Sequence, residues 1–241
     1  MSTIPPAAGK FGWVLDARQG PLPPLLLVLT TVTGLVDAAS YLMLGRVFVA
    51  NMTGNIVFLG FAVADAKDFS IPASTTATLV FLLGALAGGR LAVRLARHRG
   101  RFIAVIVYLE IALTAAALAL SMMFGAGAPA TYPLIALLAA AMGLQNAAAR
   151  RLGVPDLTTT VLTLTLTGLA ADSRLAGGAN PNLARRLLAT FLMFLGAAAG
   201  ALLILRVHLA ADLGAALVLL IAIGIVCPRL ASSSAEWTRG T

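Results

Sequence analysis

The stretch Gly34–Gly60, GLVDAASYLMLGRVFVANMTGNIVFLG, is the most informative about the fold because a related stretch occurs later in the chain. The second stretch is Gly143–Ala170, GLQNAAARRLGVPDLTTTVLTLTLTGLA. Their first residues align at an offset of 109 (143 − 34), and the Thr-bearing parts align at 110 (163 − 53). In each copy an apolar pattern breaks and is followed by a segment with many Thr or Asn residues. The pair therefore predicts two related halves, each with one broken helix.

The composition is that of an integral membrane protein. Of the 241 residues, 60% are hydrophobic and 11% are charged, with a mean hydropathy of +0.96. A soluble domain has roughly 25% charged residues, and this chain can bury so much apolar surface only in lipid. The first twenty residues lack an apolar core with a cleavage site, so we expect no cleaved signal peptide.

The remaining composition predicts no cofactor, metal or nucleic acid. Cys227 is the single cysteine, and His98 and His208 lie far apart at segment ends. The net charge of +8 comes from basic residues at the ends of apolar segments. Membrane topology explains that placement better than phosphate binding does.

Eight apolar segments are predicted, and six of them approach the length of about 20 residues that a spanning helix needs. The second and the sixth are short and rich in Thr, Asn and Gly. The segments are residues 22–44, 47–64, 73–95, 102–124, 132–152, 157–171, 184–206 and 210–227. We therefore expect an all-α membrane protein with about six transmembrane helices and two short re-entrant or broken helical segments.

The repeat continues beyond the opening stretch. Leu83–Gly88, LGALAG, matches Leu195–Gly200, LGAAAG, at an offset of 112 (195 − 83). Such small-xxx-small patterns allow close helix approach, either between the two halves or between the protomers of a homodimer. The predicted organisation is a tail at 1–20, repeats at 21–125 and 131–228, and a tail at 229–241.

Positive charge predicts the topology, since Lys and Arg collect in cytoplasmic loops. If both short segments return to the side they entered from, 14 of the 17 basic residues are cytoplasmic, and only Arg46, Lys67 and Arg206 are outside. If all eight segments crossed, the division would be nine to eight. The re-entrant arrangement gives three crossings per half, so it predicts two inverted repeats with both termini in the cytoplasm of a bacterial inner membrane.

The motif Asn51–Asn55, NMTGN, is the most informative local signal. Irregular backbone at membrane depth requires partners for its N–H and C=O groups. Gly54 permits a tight turn or close approach, and Asn51, Thr53 and Asn55 offer hydrogen-bond donors and acceptors. A helix beginning near Thr53 would direct its free N–H groups inward. The side chains either bind a polar solute or ion, or only cap the short helix.

The second copy contains TTTVLTLTLT at 158–167. Helical periodicity places Thr159, Thr163 and Thr167 on one face, with Thr158 and Thr165 elsewhere. That face either lines a water path or forms hydrogen bonds to carbonyl groups one turn back.

Two carboxylates fall within predicted membrane segments. Such a residue indicates a functional site by default because its insertion costs about 2.5–3.5 kcal/mol. Asp37 aligns with the neutral Asn146, and it binds a cation or a proton, or pairs with Arg46. Glu110 lies eight residues into the fourth segment, with Arg90 as a candidate partner, and is either a proton relay or a hydrogen-bonding group between helices.

At these residues the chain resembles the YoaK-like family of bacterial multi-pass membrane proteins. The matching pieces are GLVDAASYLMLGRVFVANMTGN at 34–55 and MGLQNAAARRLG at 142–153, followed by the Thr-rich stretch, and the resemblance covers about residues 25–228. Leu164 departs from a Thr-Gly-Thr arrangement that relatives often have. The resemblance implies an inner-membrane location and leaves the substrate open.

The predicted function is a small transporter for a polar solute or ion. Asn51, Thr53, Gly54, Asn55, Asn146, Thr163 and Thr165 would surround a site near the midplane, with Asp37 or Glu110 as the coupling carboxylate. The alternatives are a passive channel with paired half-helices and a membrane scaffold or sensor. An enzyme is not expected, since no nucleophile–base set is found. The expected partners are the lipid bilayer, the solute and a second copy of the chain.

Overall fold

The computed structural model describes residues 18–95, 97–179 and 182–239, and these residues form eight α-helices. Most of the predicted tail at 1–20 lies outside them. The helices are α1 Leu22–Met43, α2 Met52–Val63, α3 Ile71–Leu95, α4 Arg99–Phe124, α5 Ala128–Leu152, α6 Thr163–Ala171, α7 Leu183–Arg206 and α8 Leu209–Ser232.

Six of these helices are long and apolar enough to cross a membrane, and α2 and α6 are not. At 1.5 Å per residue, the 12 residues of α2 span about 18 Å, against a hydrocarbon core of about 30 Å. The 9 residues of α6 span less. The predicted all-α fold, with six long and two short helices, is confirmed.

The two histidines begin the last helix of each half. The ring of His98 accepts a hydrogen bond from the N–H of Arg101, and the ring of His208 accepts one from the N–H of Ala211. Each ring satisfies a backbone donor that the first helical turn leaves free. The two histidines therefore occupy the same position in the two halves, at an offset of 110 (208 − 98).

The two halves, α1–α4 and α5–α8, are related by symmetry in their packing: each helix contact of one half has a counterpart in the other. The contact of α3 with α5 corresponds to that of α7 with α1, and the contact of α4 with α5 corresponds to that of α8 with α1. The contacts α2–α3 and α3–α4 likewise correspond to α6–α7 and α7–α8, and α4 packs on α8. Among the six long helices, α1 and α5 are the most buried, and α3 and α7 are the most exposed.

Glycines bring the two halves into contact. A Cβ atom added to Gly196 of α7 would overlap the carbonyl oxygen of Thr31 in α1, and the backbone of Gly34 is next to it. The corresponding atom on Gly84 of α3 would overlap the carbonyl oxygen of Ala140 in α5. The small-residue motifs therefore pack half against half. Two roles were expected for these motifs, contact between the two halves or between protomers, and in the structure they form contacts between the halves of one chain.

Both described chain ends lie at one end of the bundle. The guanidinium of Arg99 donates hydrogen bonds to the side chain of Gln19 at 2.7 Å and to the carbonyl oxygen of Leu152 at 2.6 Å. It also reaches the carbonyl oxygen of Trp237, whose ring packs on Gly20. Since α1 begins and α5 ends near Arg99, α1 and α5 run in opposite directions.

Candidate functional site

The segment between α1 and α2 enters the bundle. Val47, Val49 and Ala50 are at most 4% exposed, and the N–H of Ala50 donates a hydrogen bond of 3.0 Å to Oδ1 of Asp37. Asp37 is six residues (43 − 37) before the end of α1, which is about 9 Å along the helix axis. Asp37 therefore holds the segment about 9 Å below the end of α1.

The segment between α5 and α6 repeats this arrangement at the opposite end. The hydroxyl of Thr160 donates a hydrogen bond of 2.5 Å to Oδ1 of Asn146. Asn146 is also six residues (152 − 146) before the end of its helix, and Thr160 is the counterpart of Ala50 at an offset of 110. The aligned residues Asp37 and Asn146 thus perform the same structural task at equal depth.

The NMTGN motif begins α2 as predicted, since the helix starts at Met52, next to Thr53. Asn51 and Thr53 are exposed, and Gly54 packs against the ring of Phe48. Asn55 is 0% exposed, and its amide pairs with the backbone of Phe48, accepting from the N–H at 2.8 Å and donating to the carbonyl oxygen at 2.5 Å. The interactions of Asn55 are therefore structural.

Replacing Asn55 by alanine should destabilise the protein, because the partly buried N–H and C=O groups of Phe48 would lose their partner. Each unsatisfied group costs about 1–3 kcal/mol. Thr53→Ala is the matched control, since Thr53 is exposed and its side chain forms no hydrogen bond within the described residues. The measurement is the midpoint of thermal aggregation in detergent. Equal midpoints for the two variants would contradict the role assigned to Asn55.

The Thr-rich stretch does not form one helical face. Helix α6 begins at Thr163, so Thr159 lies in the preceding segment with φ +64°, and the predicted face of Thr159, Thr163 and Thr167 is wrong. The hydroxyl of Thr167 donates to the carbonyl oxygen of Thr163 at 2.9 Å, which is the local alternative. Thr165 is 4% exposed and corresponds to Asn55 at an offset of 110. Leu164, at the position of Gly54, is 75% exposed, so a larger side chain fits there.

The two short helices do not meet. Helix α2 packs on α3, helix α6 packs on α7, and α2 has no contact with α6 within the described residues. The structure therefore does not gather Asn51, Thr53 and Asn55 around one point with Thr163 and Thr165.

A different set of polar side chains lies where α1 and α5 approach each other. The amide of Gln145 donates hydrogen bonds to Thr33 of α1 at 2.8 Å and to Thr159 at 2.9 Å. All three are at most 3% exposed, and the amide oxygen of Gln145 has no partner within the described residues. We name Thr33, Gln145 and Thr159 the central polar cluster. Thr33 lies at the middle of α1, and Asn146 is adjacent in sequence to Gln145.

Sequence reasoning missed this cluster, although one signal was available. Gln145 stands in the quoted motif at 143–148, and an amide inside a membrane segment is itself unusual. Thr33 carries no such signal, because threonines in helices commonly bond to their own backbone, as Thr33 also does with Leu29.

The pairings expected for the two carboxylates do not form. Arg46 lies 3.3 Å from Asp68 at the surface, so it is not the partner of Asp37. Glu110 is 0% exposed, and among the described residues neither of its carboxylate oxygens has a hydrogen-bond partner, whereas Arg90 is exposed. Asp212 in α8, a residue that the sequence analysis missed, is also 0% exposed, and its carboxylate oxygens likewise have no hydrogen-bond partner among the described residues.

A groove of about 930 Å³ leads from the end of the bundle that carries the chain termini to Asn146. Its walls are α3, α5 and the segment before α6, and its polar lining comprises Asn146, Thr158, Arg150 and Arg151. The corresponding positions in the first half are Tyr41 for Arg150 and Phe48 for Thr158. Their rings stack at a centroid distance of 5.1 Å. The second half is therefore open at this place, whereas two stacked rings fill the equivalent place in the first half.

Ion pairs anchor the second short helix. The guanidinium of Arg186 in α7 lies 2.8 Å from the carboxylate of Asp156 and 2.7 Å from that of Asp172, and it donates to the carbonyl oxygen of Gly168 at 2.6 Å. The Arg186 side chain is 11% exposed. Around α2, ring contacts take the place of ion pairs: Phe58 packs on Phe48 and on Phe69.

Replacing Arg186 by glutamine should lower the stability by about 2 kcal/mol, because the largely shielded carboxylate of Asp156, 16% exposed, would lose its charged hydrogen-bond donor. Arg46→Gln is the control, since its pair with Asp68 is more than half exposed on both sides and contributes about 1 kcal/mol or less. Thermal midpoints of the purified variants test the difference. An equal loss in both would show that the Arg186 pairs contribute no more than a surface contact.

Six helices that are long and apolar enough to cross a membrane, with two short helices that each follow a buried segment, define a multi-pass all-α membrane protein. Residues 25–226 match the family described as "Protein of unknown function (DUF1275)", and the chain belongs to that family. Over 151 residues it is 36% identical to the UPF0700 transmembrane protein YoaK of Bacillus subtilis (strain 168). That alignment covers 61% of this chain and 65% of the relative, which is just under two thirds of its length. No solved structure matches the chain.

The resemblance to the YoaK-like family is thereby confirmed.

Proposed function

We propose that the protein is a small secondary transporter for a polar solute, built as two inverted-topology repeats. One observation carries the proposal: buried segments enter the bundle from opposite ends, to equal depth, and are held by the aligned residues Asp37 and Asn146. Broken helices in two oppositely directed repeats are a recurrent plan of secondary transporters, in which the solute binds near the midplane.

The solute binds at the central polar cluster in this proposal. The amide oxygen of Gln145 is a buried acceptor without a partner among the described residues, and a solute that donates a hydrogen bond would satisfy it. From one end of the bundle, the groove reaches Asn146, the residue that follows Gln145 in the sequence. Stacking of Tyr41 on Phe48 fills the equivalent place in the other half. The arrangement corresponds to a state that is open on one side.

Glu110 is the coupling residue in the same proposal. It is buried without a partner in the described part of the chain, whereas its counterpart in the other half, at an offset of 110 (220 − 110), is the fully buried Leu220. Packing at this position is therefore satisfied by an apolar side chain, and the carboxylate serves another purpose. Asp37 is less suited to coupling, because its oxygen already holds Ala50.

Distribution of the basic residues orients the transporter with both termini in the cytoplasm, so the groove opens to the cytoplasm. A single cysteine at Leu175, which is fully exposed, should resist a membrane-impermeant thiol reagent in intact cells after Cys227 is replaced. A cysteine at Lys67 should react. The reverse labelling pattern would invert the orientation.

The transport proposal is tested by ligand screening followed by flux. Polar solutes are screened for stabilisation of the purified protein, since a bound ligand raises the unfolding midpoint. Each stabilising solute is then offered to proteoliposomes with and without a pH gradient. Saturable uptake that follows the gradient, and loss of stabilisation in Gln145→Met, are expected. Fast, non-saturating flux would indicate a channel instead, and no flux of any stabilising solute would favour a scaffold or sensor.

A further inference from the structure

Asp212 occupies a notch between three helices. It lies in the first turn of α8, is 0% exposed, and neither carboxylate oxygen has a hydrogen-bond partner within the described residues. A Cβ atom added to Gly200 of α7 would lie 2.7 Å from Oδ1 of Asp212 and 3.0 Å from Cβ of Ala38 in α1. The absence of a side chain on Gly200 therefore makes room for the carboxylate against α7 and α1.

Helix packing does not require an acid at this position. The counterpart of Asp212 in α4, at an offset of 110 (212 − 102), is Phe102, which is also 0% exposed. Glu110 in α4 and its counterpart Leu220 in α8 are likewise a buried acid and a buried apolar residue at equivalent positions. Each half thus replaces one apolar core residue of the other with a carboxylate, and an unpaired charge in such surroundings is strongly unfavourable.

The neighbouring charged and titratable groups do not neutralise Asp212. Helices α1, α4 and α7 pack on α8. At the same end of the bundle they offer Asp37, which binds Ala50, Tyr41, which stacks on Phe48, and Arg206, which is exposed. The ring of His208 caps α8 itself. Glu110 lies deeper, along α4.

A metal cation is not the fitting ligand for this notch. Hard cations such as Ca²⁺ and Mg²⁺ take about six oxygen ligands or more. Beside Oδ1 of Asp212, the atoms nearest to the open face of Gly200 are carbon atoms of Ala38 and Leu35. The described residues contain no group of three or more His, Cys, Asp or Glu side chains that could hold a metal ion. A proton needs only the carboxylate itself.

We propose that Asp212 is a second proton-binding site of the membrane interior, beside Glu110, and that the folded protein holds it as the neutral acid. Its participation in a transport cycle rests on the proposed function, and its protonation does not. On α4, Glu110, Thr114 and Ser121 follow at four- and seven-residue spacing and are buried on one face. The antiparallel contacts of α4 with α8, Gly100 near Leu230 and Tyr108 near Gly224, place Asp212 near the Ser121 end of that face.

Infrared spectroscopy of the purified protein tests the proposal. A buried carboxylic acid shows a carbonyl stretch that is separate from the carboxylate bands and shifts in D2O. At neutral pH the wild type should show this absorption, Asp212→Asn should lose one component of it, and Asp212→Asn/Glu110→Gln should lose two. Asp65→Asn, which changes an exposed acid in the α2–α3 connection, should leave the absorption unchanged.

An unchanged carbonyl absorption in folded Asp212→Asn would overturn the proposal. If that variant does not fold, Asp212→Leu replaces it, because Phe102 shows that an apolar side chain suits the position; the same loss of one component is then expected. A protein that shows the Asp212 component but moves no solute would refute the transporter and leave the proton-binding site in place.

Discussion

Replacing Gly84 by alanine is expected to destabilise the protein by about 1–3 kcal/mol, the usual cost of inserting atoms into a packed core. The new Cβ atom would overlap the carbonyl oxygen of Ala140, and a backbone atom cannot move without displacing α5. Gly84→Leu should leave no monodisperse protein. The measurement is recovery of a monodisperse peak in detergent after heating across a temperature series.

Gly89→Ala is the matched control, because Gly89 lies on the same helix and a Cβ atom there meets nothing within 4 Å among the described residues. Alanine favours the helix by about 1 kcal/mol over glycine, so this variant should be neutral or more stable. Gly196→Ala should behave like Gly84→Ala, since its Cβ atom would overlap the carbonyl oxygen of Thr31. Equal stability of Gly84→Ala and Gly89→Ala would contradict the close contact between Gly84 of α3 and Ala140 of α5.

Glu110→Gln is expected to reduce proton-driven solute accumulation to the level of protein-free vesicles. An amide has nearly the shape of the acid but cannot take up and release a proton. Solute exchange across the same vesicles without a gradient should persist, because the central polar cluster is unchanged. The measurement is uptake of a stabilising solute into proteoliposomes with an imposed pH gradient, compared with exchange at equal pH.

Glu236→Gln is the control for this substitution, since Glu236 is exposed near the chain end. Glu110→Leu should fold, because Leu220 occupies the equivalent position. Gradient-driven uptake by Glu110→Gln at the wild-type rate would contradict the coupling role. Loss of exchange together with uptake would instead indicate that Glu110 contributes to solute binding.

Hydropathy and helix length are sufficient to predict most of the helices. The predicted segment 22–44 corresponds to α1 Leu22–Met43, and 184–206 corresponds to α7 Leu183–Arg206. These boundaries follow from local sequence, because a lipid-embedded backbone must form its hydrogen bonds within the same helix. The start of α2 was also predictable from local sequence, because Asn and Gly residues mark the point where the apolar pattern breaks.

The candidate site could be predicted only in part, because its partners are far apart in sequence. Asp37 and Asn146 were found from their repeat positions, yet the bonds to Ala50 and Thr160 depend on how each segment folds back. Gln145 reaches Thr33 across 112 residues, and no local pattern encodes that pairing.

Apolar length and composition act locally, so they are sufficient to predict a membrane protein of two related halves with six long and two short helices. The contacts of Gly84 and Gly196 between the halves, and the bonds of Asn55 to the backbone of Phe48, became visible only in the folded protein. It alone showed that Asp212 lies in a notch without a partner among the described residues. Such outcomes depend on which helix faces which, and packing between distant segments sets that.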